Sequence, residues 1–400
     1  MPRLSTFVIF FLFALAILGG MHGYLWLRLV RDPVLPEPWR RSLTWVLLGA
    51  GLLIPLGLMA ARMAGRSWIR FIPSAAFLWM GIAFLLFATL LAADVVRSGA
   101  WLSGWVAEWF RQVPEPPADP ARRLFVARAV AGGAVLVAGT AGLVSYRSAT
   151  GPAVIEEVPI RLPRLPPTLS GYTIAQISDL HVGPTIREKE VRRVVAQTNG
   201  MKPDLIVITG DLMDGTPREL GHIMAELARL EARDGVLFVT GNHEYYSGVD
   251  AWLEVLPTLG IRPLRNEQLT IGDAGGRFTR AGVDDWSASQ FGKGHGMDLE
   301  KAVAGHDPER PLVLLAHQPR EFQAAVLAGV DLQLSGHTHG GQLFPFNYAV
   351  RAAFPWVKGL YRETVAGRTG QIYVSRGTGY WGPPMRLGSP PEISKLILTS

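Results

Sequence analysis

The chain of 400 residues contains no cysteine. Disulfides, thiolate metal sites and a cysteine nucleophile are therefore excluded, and any metal would have to be held by histidine, aspartate, asparagine or similar side chains. Charge is also scarce, since Asp, Glu, Lys and Arg make up 18% of the residues, against about 25% in an ordinary soluble domain. With 48% hydrophobic residues, this composition excludes a disordered chain and argues against a wholly soluble one.

The few charges are unevenly distributed along the chain. Residues 1–150 contain 14 arginines and 6 acidic residues, a net charge of +8, whereas residues 151–400 contain 25 basic and 27 acidic residues, a net charge of −2. A basic, apolar half followed by a near-neutral half predicts a membrane anchor joined to a soluble domain. Nucleic acid is disfavoured as the partner, because it would require a basic surface on the soluble domain.

Four runs in the N-terminal half reach the roughly 20 apolar residues that a membrane span needs. They are Phe7–Leu27, Leu43–Ala61, Phe71–Ala93 and Leu124–Val144. Between the last two, Trp101, Trp105 and Trp109 recur every four residues, which predicts either an interfacial helix at 99–110 or a loop packed on the spans. We therefore predict an all-α transmembrane region at 1–148 in an integral membrane protein.

The arginines around these runs predict the orientation in the membrane. With four spans, the N-terminus and the C-terminal domain share one side, which holds five arginines, and the loops on the other side hold eight. The positive-inside rule places the eight in the cytoplasm, although counting Arg161 and Arg164 narrows the difference to eight against seven. Residues 122–126, Arg-Arg-Leu-Phe-Val, also resemble a twin-arginine export signal placed internally. Both features favour an extracytoplasmic C-terminal domain.

The pattern changes after the fourth run. Residues 149–170 contain five prolines, which break helices and favour extended chain, so we predict a linker there. From residue 171 to 400, short apolar runs typical of buried strands alternate with segments typical of helices, such as Glu188–Asn199 and Leu220–Ala232. The predicted strands are Tyr172–Ser178, Asp204–Thr209, Val236–Thr240, Leu312–Ala316, Leu332–Ser335, Ile372–Ser375 and Ile393–Leu398.

Five of these strands are followed directly by carboxylate, amide or imidazole side chains. The motifs are Asp179-Leu180-His181, Gly210-Asp211-Leu212-Met213-Asp214, Gly241-Asn242-His243-Glu244, His317 and Gly336-His337-Thr338-His339. Taken singly, each is typical of a turn, a helix cap or a structural histidine. Ligands in α/β folds gather at the carboxyl ends of strands, so five such motifs in order predict a single metal site.

This ordered set of motifs resembles the calcineurin-like metallophosphoesterase superfamily, in a membrane-anchored bacterial branch, over about residues 171–400. The resemblance implies an α/β fold, a four-layer α/β/β/α sandwich with two mixed sheets. It also implies a metal-dependent phosphoric ester hydrolase that uses two divalent metal ions, Mn, Fe or Zn. In that mechanism a metal-bridging hydroxide attacks the phosphorus of a phosphate ester.

The resemblance also assigns roles to the motif residues. The implied metal ligands are Asp179, His181 and His339 for one ion, Asn242, His317 and His337 for the other, and Asp211 as the bridge between them. His243 would donate a proton to the leaving oxygen or stabilise the charge that develops on it. Asp214 would orient that imidazole, although a simple turn role for Asp214 stays open.

The substrate is less defined than the site. The four-span anchor favours a phosphate ester in or near the bilayer, such as a lipid-linked phosphodiester. Two alternatives stay open: a UDP-2,3-diacylglucosamine-type pyrophosphate hydrolase of lipid A synthesis, which would need a cytoplasmic domain, and a non-catalytic membrane sensor or scaffold.

Near the C-terminus, Arg376 and Arg386 could grip a phosphate or form surface salt bridges. The aromatic segment Phe344–Tyr361 could form an apolar rim or pack in the core. The oligomeric state is not defined by the sequence.

Overall fold

The computed structural model of the chain describes residues 4–61, 71–111, 119–273 and 276–400. The chain divides into two compact units, residues 1–146 and residues 147–400. Four of the arginines used to predict the orientation lie outside the described residues, namely Arg3, Arg62, Arg66 and Arg70.

The N-terminal unit consists of long apolar helices. Helix α1 is Leu4–Trp26 and continues into a π-helical turn, Leu27–Arg31. The others are α2 (Glu37–Ala61), α3 (Phe71–Arg111) and α4 (Pro120–Thr150). Each contains a stretch that is long and apolar enough to cross a membrane. Four such helices among the described residues confirm the four apolar spans predicted from the sequence.

Helix α3 is longer than the span predicted for it. Its 41 residues give a length of about 60 Å at about 1.5 Å per residue, twice the hydrocarbon thickness of about 30 Å. The segment 99–110 is helical, as predicted, and it is the C-terminal part of α3; the alternative of a packed loop is therefore wrong, and the interfacial position stays a prediction. Asp94 and Arg97 end the apolar run but not the helix, since charged residues have adequate helix propensity. Trp101 and Trp109 remain exposed on this extension.

A polar cluster joins α1 and its π-helical turn to α3. Arg28 donates through Nη2 to Asp94 Oδ1 at 2.6 Å, and Tyr24 donates through its hydroxyl to Asp94 Oδ2 at 2.6 Å. Charged groups among apolar helices are costly unless they are paired, so this arrangement stabilises the helix contact. His22 Nε2 accepts a hydrogen bond from Trp79 Nε1 at 3.0 Å, which is typical of a packed histidine.

The C-terminal unit contains two six-stranded mixed sheets. The strands are β1 (Val154–Arg161), β2 (Thr173–Ile177), β3 (Leu205–Thr209), β4 (Val236–Val239), β5 (Ile261–Pro263), β6 (Glu267–Asp273), β7 (Gly276–Gly282), β8 (Leu312–Leu315), β9 (Leu332–Ser335), β10 (Gly359–Val365), β11 (Arg368–Val374) and β12 (Glu392–Thr399). The first sheet has the order β1-β12-β2-β3-β4-β5 and the second has the order β10-β11-β9-β8-β7-β6. Strands β2 to β5 are parallel, and so are β7, β8, β9 and β11.

Seven α-helices among the described residues of this unit lie between the strands along the chain. They are α5 (Glu188–Gly200), α6 (Pro217–Met224), α7 (Asn242–Tyr246), α8 (Val249–Val255), α9 (Leu299–Val303), α10 (Phe322–Leu327) and α11 (Asn347–Ala353). Helix α6 begins at Pro217, three residues before the predicted start at Leu220: Thr216 is the N-cap, Pro217 is the first helical residue, and Glu219 accepts the Thr216 backbone N–H at 2.9 Å.

Three apolar layers hold these elements together. The first lies between the sheets and includes Val207 and Phe278, both fully buried. The second packs the first sheet against α5, α6 and α8, and the third packs the second sheet against α9 and α10. This arrangement confirms the predicted four-layer α/β/β/α sandwich with two mixed sheets.

The segment predicted as a linker takes part in the first sheet. Strand β1 lies within residues 149–170 and pairs in parallel with β12 over its full length. The prolines made this segment look like a tether, and they do keep it extended. Pro159 is tolerated because β1 is an edge strand, where one side of the backbone needs no hydrogen-bond partner.

We predict that Phe278→Ala destabilises the C-terminal unit by about 3–5 kcal/mol, because it leaves a cavity between the sheets. Phe278 is fully buried, and its ring lies edge-on to Tyr172 with centroids 5.2 Å apart. Thermal unfolding of the full chain in detergent measures the effect. Leu360→Ala is the matched control, since Leu360 is 40% exposed on β10. Equal melting temperatures for the two variants would contradict the inter-sheet core.

Candidate metal centre

The predicted site residues lie together at the carboxyl ends of five strands. Strands β2, β3 and β4 of the first sheet end beside β8 and β9 of the second. A buried amide links the two sheets just below this point, since Gln176 Nε2 donates to Thr209 Oγ1 and to the Ser335 carbonyl, both at 2.9 Å. The loops after these strands carry every motif residue, so both sheets contribute side chains to one cluster.

The backbone of these loops is unusual. Positive φ angles between 50° and 71° occur at five of the predicted ligands, namely Asp179, His181, Asp211, His337 and His339. An L-residue in this region costs about 1–2 kcal/mol, and such strain gathers at functional sites. The strained backbone turns each side chain sharply away from its strand and into the cluster.

Two glycines allow the loops of β3 and β4 to approach closely. A Cβ atom on Gly210 would lie 2.6 Å from the backbone nitrogen of Gly241 and 2.7 Å from His317 Nδ1. A Cβ atom on Gly241 would lie 2.2 Å from Asp211 Oδ1. Any larger residue would push Asp211 and His317 apart.

The first group of potential ligands is Asp179, His181 and His339. His181 Nε2 and His339 Nε2 are 3.1 Å apart, and His339 Nε2 is 3.4 Å from Asp179 Oδ1. Asp211 Oδ2 lies 3.9 Å from His181 Nε2 and so borders this group. These side-chain atoms converge on a single point that is buried from solvent.

The second group is Asp211, His317 and His337. His317 Nε2 lies 3.2 Å from Asp211 Oδ2 and 3.1 Å from His337 Nδ1. Asn242 precedes His243 on the loop after β4, and its Oδ1 is buried with no hydrogen-bond partner among the described residues. A buried amide oxygen without a partner is costly, and a cation would satisfy it. The two groups share Asp211.

Hydrogen bonds fix the orientation of the second group. His317 Nδ1 donates to the Thr209 carbonyl at 2.8 Å, which leaves Nε2 with its lone pair toward the site. Burial lowers the pKa of His337 to about 3, and the positive charges of His317 and Arg320 act in the same direction. Burial and the adjacent Arg386 lower the pKa of His339. Both imidazoles are therefore neutral at pH 7, as metal ligands must be.

The buried carboxylates of the site are unstable unless positive charge lies close to them. Burial raises the pKa of Asp179, because a carboxylate without solvent is unstable. Burial would also raise the pKa of Asp211, but the charges of His317 and His243 hold it well below its usual range. For His317 the direction reverses: burial would lower its pKa, and the carboxylates of Asp211 and Asp179 raise it well above the usual value. In the chain without cations, the proton on His317 supplies positive charge. Bound divalent cations would supply that charge instead.

Asp214 is placed between two imidazoles rather than in an isolated turn. Its Oδ1 lies 2.5 Å from His243 Nδ1, and its Oδ2 lies 3.2 Å from His181 Nδ1. Burial would raise the pKa of Asp214, but the two histidines lower it. Burial would lower the pKa of His243, but the charges of Asp211 and Asp214 raise it to about 9. His243 thus points its Nε2 to the site and keeps 15% of its side chain exposed.

Glu244 is a positioning residue that the sequence did not assign. It is fully buried and accepts the backbone N–H groups of Asp211 at 2.9 Å, Leu212 at 2.7 Å and Gly241 at 2.5 Å. Burial raises its pKa to about 7. It follows His243 directly, so the sequence signal was present, but its role depends on backbone groups about 30 residues away.

The two arginines considered as phosphate ligands have other contacts. Arg376 forms ion pairs with Glu156 at 2.9 Å and Glu392 at 2.6 Å. Arg386 is buried and donates to the carbonyls of Gly379, Arg376 and His339, and its Nη2 lies 3.0 Å from His339 Nδ1. Arg386 therefore fastens the last ligand loop to the loop after β11.

Exposed aromatic rings border the open side of the site. The rings of Tyr246 and Trp381 lie 5.3 Å and 5.7 Å from the His243 ring and are 63% and 52% exposed. The segment 344–361 is divided between the two predicted roles. Phe344 and Phe346 are exposed, whereas Trp356 is buried against Phe322.

We predict that Glu244→Gln weakens divalent metal binding by about 10- to 100-fold, because its amide N–H₂ would face the backbone N–H groups that position Asp211. Calorimetric titration of the full chain with Mn²⁺ measures the affinity. Glu254→Gln on α8 is the matched control, since Glu254 is exposed. Unchanged Mn²⁺ affinity in folded Glu244→Gln would contradict the positioning role.

Comparison with known proteins places this site in a family. Residues 172–341 match the family described as calcineurin-like phosphoesterase. A transmembrane protein with metallophosphoesterase domain from Bos taurus is 41% identical over 290 residues, which cover 70% of this chain and 64% of that protein. The matched part of the chain thus spans less than two thirds of the length of this relative.

Two bacterial relatives are matched over most of their length. An uncharacterized metallophosphoesterase of Aquifex aeolicus is 38% identical, over 60% of this chain and 89% of the relative. The uncharacterized metallophosphoesterase YkuE of Bacillus subtilis is 32% identical, over 68% of this chain and 94% of the relative. These matches confirm the resemblance seen in the motifs. The chain belongs to the calcineurin-like metallophosphoesterase family.

Proposed function

We propose that this chain is a membrane-anchored phosphoesterase that hydrolyses a phosphate ester at a site for two divalent cations. The observation that carries the proposal is the pair of ligand groups that share Asp211, beneath the partly exposed imidazole of His243. One group would hold the first ion through Asp179, His181 and His339. The other would hold the second through Asn242, His317 and His337, with Asp211 between them.

The donor set fits such ions. Carboxylate, neutral imidazole and amide ligands suit Mn²⁺, Fe²⁺ or Zn²⁺, and the orphaned Oδ1 of Asn242 supplies the amide oxygen. Two bound cations would clamp the phosphoryl oxygens and lower the pKa of a shared water, which provides the nucleophile. The protein contributes a buried, rigid cluster that holds its ligands in place before the substrate arrives.

His243 is the residue that would act on the leaving group. Its Nε2 lies 4.0 Å from Asp211 Oδ2, at the edge of the cluster, and its Nδ1 is held by Asp214. Without cations, burial would lower the pKa of His243, but the charges of Asp211 and Asp214 raise it to about 9. Asp214 lies outside the proposed ligand set, so beside bound cations it would still favour the protonated imidazole, which can donate to a departing alkoxide. Asp214 keeps the imidazole in the tautomer and orientation that this donation requires.

The surroundings of the site favour a diester with an apolar group near the bilayer. Tyr246 and Trp381 stand beside His243, and both are exposed. An apolar leaving group would bury part of this surface. The four spanning helices keep the chain in the membrane, where a lipid-linked ester would be concentrated. We propose further that the soluble domain, residues 171–400, is extracytoplasmic in a bacterial inner membrane, on the distribution of arginines.

The first test is hydrolysis of bis-p-nitrophenyl phosphate and p-nitrophenyl phosphate by the full chain in detergent with Mn²⁺. We expect turnover that requires the metal, that favours the diester, and that falls to the metal-free level in Asp211→Asn. Asp250→Asn is the control, since Asp250 is exposed on α8. Absence of turnover in protein shown to bind two metal ions would overturn the enzyme and favour the non-catalytic sensor.

The second test separates proton donation from other roles of His243. General acid catalysis raises the rate of reaction by about 10²–10⁴-fold, and it matters most for poor leaving groups, whose anions are strongly basic. We therefore expect His243→Ala to reduce kcat for a methyl p-nitrophenyl diester less than for a dialkyl diester such as glycerophosphoethanolamine. Asp214→Asn should show the same difference, with smaller losses. Equal losses for both leaving groups would contradict the proton donor and favour a role in binding the phosphate.

A further inference from the structure

Arg320 occupies an unusual position on the rim of the metal centre. It lies three residues after His317, in a short 3-10 turn at Pro319–Glu321, and its side chain is exposed. The guanidinium carbon lies 5.2 Å from the centre of the Trp286 ring and 4.6 Å from the centre of the Phe354 ring. Stacking on two aromatic faces stabilises a guanidinium while leaving its N–H edge free.

The direction of this arginine is fixed through a buried carboxylate. Arg320 donates through Nε to Gln318 Oε1 at 3.1 Å, and Gln318 donates through Nε2 to both carboxylate oxygens of Asp285 at 3.1 and 3.0 Å. Asp285 and Gln318 are buried, at 1% and 8% exposure. A side chain that is usually flexible is thus held in one orientation, at an entropic cost that a purely solvated arginine would avoid.

The charge of Arg320 is not neutralised within the protein. Among the described residues, no carboxylate oxygen lies within 4.0 Å of its guanidinium, and its terminal nitrogens donate no hydrogen bond. Arg320 therefore differs from Arg376, which lies between two glutamates, and from Arg386, whose nitrogens are used by carbonyls. An oriented, exposed guanidinium without a carboxylate partner is a ready site for an anion.

The same aromatic ring connects Arg320 to the metal centre. The Phe354 ring contacts the His337 ring, with centroids 5.4 Å apart, as well as the guanidinium. Phe354 thus stands beside both groups and spaces the arginine from the ligand His337. A phosphate bound at the ligand cluster would therefore have the Arg320 guanidinium near it, with only the Phe354 ring between the guanidinium and His337.

We propose that Arg320 is a subsite for a second anionic group of the substrate, next to the phosphate that is hydrolysed. This inference rests on the proposed function, since it takes the ligand cluster as the place of the first phosphate. It narrows the substrate class to phosphate esters that carry a further phosphate or carboxylate close to the scissile group. Diphosphate-linked esters are the simplest members of this class. The subsite recognises the anion by the edge of a planar guanidinium, which forms paired hydrogen bonds with two oxygens.

The test compares two non-hydrolysable ligands by calorimetry on the Mn²⁺-loaded full chain in detergent. Methylphosphonate offers one anionic group. Methylenediphosphonate offers two phosphonate groups joined by one methylene carbon. For the unmodified protein we expect the diphosphonate to bind more tightly. We define the preference as the Kd of methylphosphonate divided by the Kd of methylenediphosphonate. In Arg320→Gln we expect this preference to fall by about 10-fold, which is typical of a lost charge-assisted hydrogen-bond pair. Arg362→Gln is the matched control, since Arg362 is exposed on β10 and the variant has the same net charge.

Two results would overturn the subsite. If Arg320→Gln weakens both ligands by the same factor, Arg320 acts on the first phosphate or on the fold of the site. If it weakens neither, the arginine serves only to cover Trp286 and Phe354. Because binding is measured without turnover, the proposed function can fail separately. If the protein hydrolyses no ester but still prefers the diphosphonate in an Arg320-dependent way, the subsite proposal would stand and the proposed enzymatic function would be rejected.

Discussion

Buried negative charge is the constraint on which the rest of the structure depends. Asp179, Asp211 and Glu244 are at most 2% exposed, and together they place three carboxyl groups under the ends of the central strands. Burial of a carboxylate costs several kcal/mol unless charge or hydrogen bonds compensate. The histidines compensate only in part, because His337 and His339 are neutral. The loops are therefore built around cations, and the packing of both sheets holds those loops in place.

The strained backbone and its supports form one arrangement. Residues with positive φ turn five ligands inward, and each such turn raises the free energy of the folded chain. Glu244 offsets this cost by accepting three loop N–H groups, and Arg386 offsets it by donating to the carbonyls of the opposite loops. Glu244 as an acceptor and Arg386 as a donor thus each hold loops of the ligand cluster in place, on opposite sides of it. Neither side chain needs to contact substrate to be essential for the geometry.

The parts of the fold that could be predicted are those with local signals. Apolar runs located the strands, and polar residues directly after them located the residues that the structure brings together as candidate ligands. Strand β1 escaped prediction because its prolines are allowed only by its position at a sheet edge, which depends on pairing with β12 more than 230 residues away. The continuity of α3 was missed because a change in hydropathy was taken for the end of a helix. Arg320 gave no local signal, and Arg386 was considered only as a phosphate ligand or surface ion pair, since a ring stack or a buried carbonyl contact is set by the tertiary structure.

The position of β12 has a consequence for how the protein is made. Strand β12 lies between β1 and β2, although both are synthesised more than 200 residues before it. The first sheet therefore cannot close until the C-terminal residues have left the ribosome, and β1 waits without its only neighbour until then. During this interval the chain is held at the membrane by its helices while an unpaired edge and the apolar faces around it are open to other proteins. Loss of β12 would leave the first sheet in this open state, with the edges of β1 and β2 unpaired.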